Sequence, residues 1–341
     1  IVFPDNLKKI GCFAFRGTSL CHDIFLPEGL TYVGKRAFDN TGMTGAFMEE
    51  WEIWYTNTIR RISLPSTLKY LGDYAFGECD LEQELSLPEE MDYLGEAVFA
   101  SCKGITGELR IPQNLTTISH RCFYFNKGLK GNLNIPPSVT EVGAEAFART
   151  GFTSLTLHEG LKIIRASAFN STPFDADLVV PSTVTVLSPN AFANTGFKHV
   201  YLPDNFEEIP NGLFFQCKEL IDTVLIPSKV NHLASSAFSG CERLTAVLLP
   251  KNLLSIGESC FRNCFSLNYI QCLSETPPVL EGSGHFDGVS KDNFTLVVPS
   301  GCVDTYRNAP GWREFKRISE YSNFVCRPLS ARLLNKGNVR D

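Results

Sequence analysis

Cysteine is the residue type in this sequence that could most readily do chemistry. The chain has 341 residues and contains 12 Cys. A zinc or redox site built from cysteines typically shows pairs with the spacing Cys-x-x-Cys. No such pair occurs anywhere in the chain. The spacing therefore does not support a metal site made of cysteines.

Histidine and the known catalytic motifs give no better support for an enzyme. The six His are scattered and show neither His-x-x-x-His nor His-Glu-x-x-His spacing. No nucleophile elbow, phosphate-binding loop or dinucleotide fingerprint is present. We therefore predict no catalytic residue, no metal and no cofactor, and the chain is predicted not to be an enzyme.

Charge and hydropathy exclude two classes of partner. The net charge is -6, whereas a nucleic-acid-binding protein would present a basic face. No apolar run approaches the roughly 18 residues that a membrane-spanning helix needs. We predict no nucleic-acid partner and no membrane span.

A short repeat must position whatever residues do act. The pattern Pro-x-x-Leu-x-x-Ile-Gly-x-x-Ala-Phe occurs in four close copies, which are 27–38, 65–76, 136–147 and 250–261. Looser copies begin at Pro4, Pro88, Pro112, Pro181, Pro203, Pro227 and His158. Successive copies begin 22 to 24 residues apart, with one gap of 38. Such periodicity indicates a solenoid in which each repeat buries its apolar face against its neighbours.

Each repeat is predicted to contain one short parallel strand. Apolar residues alternate just before each Pro, as Val247 and Leu249 do before Pro250, and this period of two is typical of a half-buried strand. Proline ends the strand because it lacks the N–H that the sheet needs. We predict a turn and a short helical or irregular return after it. The Gly of the Ile-Gly pair is expected to permit a tight bend, and the Phe residues are expected to form one buried column.

The repeat resembles the BspA-like leucine-rich repeats, and the resemblance covers residues 1 to about 270. It includes the Cys three residues after the Phe, and the segment 296–318 looks like the C-terminal cap of that family. The resemblance implies a secreted or surface-exposed protein, since several members are linked to adhesion and host contact. It supplies no catalytic residues and names no binding site.

The recurring cysteines are predicted to be reduced core residues. Cys79, Cys102, Cys217, Cys241 and Cys264 share one repeat position. Their Cβ atoms on adjacent rungs would lie about 4.8 Å apart, beyond the ~3.8 Å that a disulfide prefers. Whether Cys302 and Cys326 pair is left open.

We predict a leucine-rich-repeat-like solenoid, α/β or mainly β, forming a curved right-handed array with a C-terminal cap. Residues 1–273 would form the array, with an insertion at about 40–57. Residues 274–320 would form a degenerate last repeat and the cap, in which Trp312 and Phe315 cover the final rung. Residues 321–341 would be a tail. Because the chain begins inside a repeat, a signal sequence or another domain is expected to be missing before it.

The sheet face offers the candidate ligand-binding residues. The outward positions, two and four residues before each Pro position, are polar and mixed in charge in the first half of the array. They become apolar and aromatic in the second half, and exposed apolar patches often mark interaction sites. The inserted segment adds aromatic side chains of its own. The candidates are His199, Tyr201, Leu225, Leu248, Tyr269, Trp51 and Trp54.

Plainer interpretations of these residues remain open. The apolar face can reflect β-propensity alone or be covered by the cap, and the inserted tryptophans can pack back on neighbouring repeats. The predicted function is a non-enzymatic binding or adhesion module, extracellular or on a bacterial cell surface. It would engage a host or matrix protein, or a glycan. The alternative is a rigid spacer that presents another domain.

Overall fold

The computed structural model describes residues 2–18, 23–39 and 59–321. It is a parallel β-solenoid with almost no helix, and the predicted repeat fold is confirmed. Each turn of the solenoid, here called a rung, contributes a short strand to one or both of two ladders. The first ladder consists of the strands that precede the Pro position. The second ladder consists of two-residue strands that end just before the Gly position.

The first ladder is discontinuous in the first part of the array and most regular near the C-terminus. Its strands are β2 (Ile24–Phe25), β4 (Ile62–Ser63), β8 (Asn132–Asn134), β10 (Ser154–Thr156), β12 (Leu178–Val179), β14 (Val200–Tyr201), β16 (Asp222–Leu225), β18 (Leu244–Leu249), β20 (Tyr269–Cys272), β22 (Thr295–Val298) and β23 (Arg317–Glu320). The last five form one sheet in the order β16-β18-β20-β22-β23.

The second ladder lies where we predicted a turn and a helical or irregular return, and the helical alternative is wrong. Its strands are β1 (Lys9–Ile10), β3 (Tyr32–Val33), β5 (Tyr70–Leu71), β6 (Tyr93–Leu94), β7 (Thr117–Ile118), β9 (Glu141–Val142), β11 (Ile163–Ile164), β13 (Val186–Leu187), β15 (Glu208–Ile209), β17 (His232–Leu233), β19 (Ser255–Ile256) and β21 (Val279–Leu280).

The apolar spacing of three that suggested a helical return has another cause. The N–H of Leu30 donates to the carbonyl of Pro27 at 3.2 Å, which closes a turn directly after the first-ladder strand. Leu30 and Val33 are both fully buried. The chain turns a corner at Leu30 and reaches the core again at Val33 as a strand, so residues three apart face inward without a helix.

A continuous column of phenylalanine rings forms the centre of the core, as predicted. One Phe from each rung stacks on the next, from Phe15 to Phe286, with centroids 5.1–6.0 Å apart and planes within 23°. Offset stacking of this kind adds to the free energy of apolar burial. Phe38 stacks on Phe76 at 5.1 Å, so the rungs on either side of the long gap touch directly.

The tight bend predicted at the Gly position lies instead on either side of the Phe. In the rung of Phe76, the left-handed residues are Tyr74 (φ 55°) and Glu78 (φ 59°). Gly95 is needed for a different reason, which is the close approach of two rungs. A Cβ on Gly95 would lie 2.3 Å from the backbone nitrogen of Asp73, well inside van der Waals contact.

Two breaks divide the second ladder within residues 59–321, leaving the sheets β1-β3-β5-β6, β7-β9-β11-β13 and β15-β17-β19-β21. At a regular step the residue in the Gly position donates its N–H to the rung before, as Gly95 does to Leu71 at 2.8 Å. At the first break the hydroxyl of Ser119 donates to the carbonyl of Leu94. At the second, Pro210 occupies the Gly position and has no N–H to donate.

The C-terminal end of the core is covered by a short helix α1 (Val303–Asn308), a 3-10 turn (Trp312–Glu314) and strand β23. Trp312 is buried, and its Nε1–H donates to the carbonyl of Pro278 at 2.8 Å. Phe315 packs edge-on against Phe286 with centroids 5.0 Å apart. The prediction that Trp312 and Phe315 cover the final rung is confirmed. None of the described residues forms a helix long and apolar enough to cross a bilayer.

Candidate functional site

The buried cysteines are core residues and not a chemical site. Cys79, Cys102, Cys217, Cys241 and Cys264 are all buried and none of these five forms a disulfide, as predicted. Burial raises the pKa of the Cys102 thiol to about 12, so the nucleophilic thiolate is not populated at neutral pH. Cys302 is also free, and Cys326 lies outside the described residues.

The outward face of the first ladder contains most of the predicted site residues. Leu225 lies directly opposite Leu248, and Val179 lies opposite Tyr201. Tyr201 and Leu225 share one repeat position, two residues before the Pro position. We call Val179, Tyr201, Leu225 and Leu248 the apolar line. Val179 is 60% exposed and Leu225 is 38% exposed, so the line is accessible to a partner.

Tyr269 lies beside the apolar line and not on it. Its partner in register is Ala246, whereas Leu248 lies opposite Gln271. The Tyr269 hydroxyl donates to Oε1 of Gln271 at 3.4 Å. Gln271, predicted to point outward, is only 5% exposed. The accessible apolar surface therefore ends at Leu248 and does not extend evenly to the next rung.

His199 belongs to a charged cluster at the edge of the apolar line. Its Nδ1 lies 2.6 Å from Oδ1 of Asp177, and its Nε2 lies 3.4 Å from Oδ2 of Asp222. Burial lowers the pKa of His199, but the hydrogen bonds to the two carboxylates outweigh that effect and leave its pKa above the ordinary value. The cluster thus favours the imidazolium form. Among the described residues, no group of three or more His, Cys, Asp or Glu could hold a metal ion.

The predicted Trp51 and Trp54 lie outside the described residues. Their proposed contact with a ligand therefore stays a prediction.

A row of three tyrosines on the second ladder was not predicted from the sequence. Tyr32, Tyr70 and Tyr93 occupy the same position on consecutive rungs. Their rings stack with centroids 4.6 Å apart and planes within 11°. The signal was available, because the copies read TYVG, KYLG and DYLG at this position. The row lies outside the residues before each Pro position, which form the predicted sheet face.

A cleft of about 350 Å³ lies where the tyrosine row ends. The next residue in the row is Thr117, and the second ladder is broken at this step. Tyr93 forms one wall of the cleft, and Glu141 and Arg165 line the other side. Arg165 donates to Glu141 at 2.7 Å. A second cleft, of about 510 Å³, lies near Leu254 and Glu275 and contains no aromatic residue in its lining.

Comparison with known proteins identifies the repeat. The family model of the BspA type leucine rich repeat region matches in six copies over residues 1–53, 48–175 and 162–278. No curated protein sequence matches the chain.

Solved structures show the same fold. A leucine-rich repeat protein from Bacteroides ovatus superposes with a TM-score of 0.61 at 20% identity, covering 94% of this chain and 83% of that one. The pneumococcal vaccine antigen PcpA superposes with a TM-score of 0.50 at 17% identity, covering 88% and 79%. At such low identity the likeness concerns the fold alone.

Proposed function

This chain belongs to the BspA-type leucine-rich-repeat family, and on that premise we propose that it is a non-enzymatic binding module. It is secreted or displayed on a bacterial cell surface and engages a host or matrix protein. The contact surface is the apolar line on the first ladder, with His199 and Tyr269 at its borders. Trp51 and Trp54, in the inserted segment, are proposed to add to it.

The observation that carries this proposal is the pairing of Leu225 with Leu248 on an outward face. Val179 and Tyr201 are paired in the same way on the preceding rungs. Surface apolar residues are unremarkable when they occur singly, but contiguous ones often mark interaction sites. These two pairs occupy the same repeat position on four successive rungs, which suits them to a protein partner as a narrow apolar strip.

Charge at the edge of the strip indicates what kind of partner fits. Asp177 and Asp222 remain 49% and 73% exposed at the side-chain level, although both face His199. A polar rim around an apolar centre is the usual anatomy of a protein interface. The carboxylates favour a partner that places Lys or Arg next to its own apolar residues.

The buried thiols bond within the core, and this supports a role other than catalysis. Within the part of the chain that the structure describes, these thiols are nucleophilic groups that recur along the array. They donate hydrogen bonds to carbonyl oxygens in the core. Raised thiol pKa values keep them protonated.

The proposal is tested by binding to an array of matrix proteins and glycans, with the double variant Leu225→Ser/Leu248→Ser beside the parent chain. The matched control is Val279→Ser, because Val279 is 63% exposed on the second ladder. We expect the parent and the control to bind a protein on the array and the double variant to lose at least tenfold in affinity. Unchanged affinity of the double variant would contradict the proposal.

A rigid spacer is the second candidate function, and the unbroken Phe column from Phe15 to Phe286 favours it. A stack without gaps gives each rung two packed neighbours and a stiff array. The same experiment separates the two, because a spacer binds nothing on the array through its first ladder.

A further inference from the structure

We propose that the cleft beside Tyr93 is a binding subsite for one hexopyranose ring of a glycan, with the sugar stacked on the outer face of Tyr93. This subsite lies on the second ladder. It goes beyond the protein contact proposed above and does not depend on it.

The tyrosine row leaves one aromatic face available. Tyr70 is covered on both sides, by Tyr32 and by Tyr93, each with its centroid 4.6 Å away. At the far end the ammonium of Lys9 lies over Tyr32, 5.9 Å from the ring centroid. Among the residues that the structure describes, no ring covers the other face of Tyr93, which is 38% exposed.

The space beyond Tyr93 lies where a fourth ring of the row would stand. The row continues with Thr117, whose side chain is too small to fill the place that a fourth tyrosine would occupy. The second ladder is also interrupted at this step, since the hydroxyl of Ser119 and not a backbone N–H bonds to Leu94. The resulting groove is open to solvent and has a volume of about 350 Å³.

Polar groups surround this space on the sides away from the ring. Glu96, Ser119 and His120 line one side, and Glu141 with Arg165 lines the other. Arg165 is already paired with Glu141 at 2.7 Å. Its charge is thereby largely compensated, which disfavours a strongly anionic ligand such as a phosphate. What remains is a set of hydrogen-bond donors and acceptors around an aromatic face.

A pyranose ring matches that arrangement. It has an apolar face of C–H groups that packs on an aromatic ring and a rim of hydroxyls that both donate and accept hydrogen bonds. Tyr93 is held in place for this contact, because its hydroxyl donates to Oδ1 of Asp73 at 3.3 Å. A preorganised aromatic wall lowers the entropy cost of binding.

Saturation-transfer NMR on the full chain tests the subsite, with the methyl glycosides of glucose, galactose, mannose and N-acetylglucosamine as probes. The decisive variant is Thr117→Tyr, which extends the tyrosine row by one ring and fills the cleft without removing any wall. Tyr93→Ala removes the stacking face. Tyr70→Phe and Tyr32→Phe are the matched controls, because both keep the stacked row and leave the hydroxyl of Tyr93 in place.

We expect at least one glycoside to receive saturation on its ring C–H protons from the parent chain. Thr117→Tyr and Tyr93→Ala should weaken that binding at least tenfold, and the two Phe variants should change it less than about threefold. Circular dichroism and the thermal midpoint would check that each variant is folded. If Tyr93→Ala does not fold, Thr117→Tyr decides alone.

Three results would overturn the proposal. One is the absence of a signal from every glycoside with the folded parent chain. Another is a signal that Thr117→Tyr leaves unchanged. The third is preferential binding of N-acetyl-arginine amide, lost in Thr117→Tyr, which would assign the cleft to a side chain of a protein partner that stacks on Tyr93 and pairs with Glu96.

Discussion

The thiol of Cys102 donates a hydrogen bond to the carbonyl oxygen of Phe76, one rung earlier in the array, over 3.1 Å. The same bond recurs between Cys217 and Phe192 and between Cys264 and Phe238. Where the rung has no Cys, Thr172 and Asn126 make the equivalent bonds to the Phe carbonyls of their preceding rungs. From Cys79 to Cys264, the position three residues after the Phe is thus a column of small buried donors, and Cys is one of three residue types that serve there.

This column predicts how Cys102 tolerates substitution. Cys102→Ala leaves the buried carbonyl of Phe76 without its side-chain donor and should lower the free energy of unfolding by about 1–3 kcal/mol. Cys102→Thr should recover most of that loss, because Thr supplies a hydroxyl at the same position in other rungs. Urea unfolding followed by circular dichroism measures the difference. Equal unfolding midpoints for the Ala and Thr variants would show that the thiol acts by volume alone.

Burial also predicts which thiols react in the folded protein. Cys12 is exposed, whereas Cys122 and Cys260 are buried, and burial raises the pKa of both buried thiols well above the ordinary value. Iodoacetamide at pH 8 should therefore label Cys12 within minutes and leave Cys122 and Cys260 unlabelled until urea is added. Peptide mapping by mass spectrometry reads the labelling. Equal labelling of Cys12 and Cys260 in the native chain would contradict the packed core.

The core was predictable from sequence because its side chains repeat at fixed positions. Phe76, Phe99 and Phe123 occupy the same position in successive repeats. Cys79 and Cys102 each lie three residues after the Phe of their repeat. Stacking of identical rungs converts that sequence period directly into a spatial column. The strand before Pro250 was predictable for the same reason, since its six residues are long enough to show a period of two.

The second ladder was not predictable in this way. A strand such as Tyr93–Leu94 has two residues, and two residues cannot display a period. The row of Tyr32, Tyr70 and Tyr93 becomes visible only when the copies are aligned on that position. The break at Ser119 depends on which donor reaches Leu94, which is a matter of geometry and not of residue type. The burial of Gln271 likewise depends on tertiary contacts that a repeat pattern does not encode.

The Gly position offers a matched pair of substitutions. A Cβ on Gly95 would lie 2.3 Å from the nitrogen of Asp73, whereas a Cβ on Gly11 meets nothing within 4 Å. Gly95→Ala should force the rungs apart and lower the free energy of unfolding by about 1–3 kcal/mol. Gly11→Ala, at the same repeat position, should change it by less than about 1 kcal/mol in either direction. Urea unfolding curves of both variants, compared with the parent, check the contrast. Similar losses for the two would refute the close-approach explanation.

Stability should also depend on pH through His199. Hydrogen bonds to Asp177 and Asp222 raise its folded-state pKa above the unfolded value of about 6.5. A raised pKa means that the folded state binds the proton more tightly. The stabilisation is therefore fully present below about pH 6.5 and is lost as the pH rises through the folded-state pKa. Because the side chains are partly exposed, the effect should stay below about 1 kcal/mol.

The variant His199→Gln isolates this contribution, since glutamine retains hydrogen bonding and lacks the titrating charge. We expect the parent chain to exceed the variant in unfolding midpoint at pH 5.5 and the gap to close by pH 8.5. Added salt at pH 5.5 should narrow the gap as well, because exposed ion pairs are screened. His232→Gln is the control, since the hydrogen bond of His232 is to the hydroxyl of Ser255 and not to a carboxylate. A gap that widens with pH would mean that the carboxylates do not hold the imidazolium.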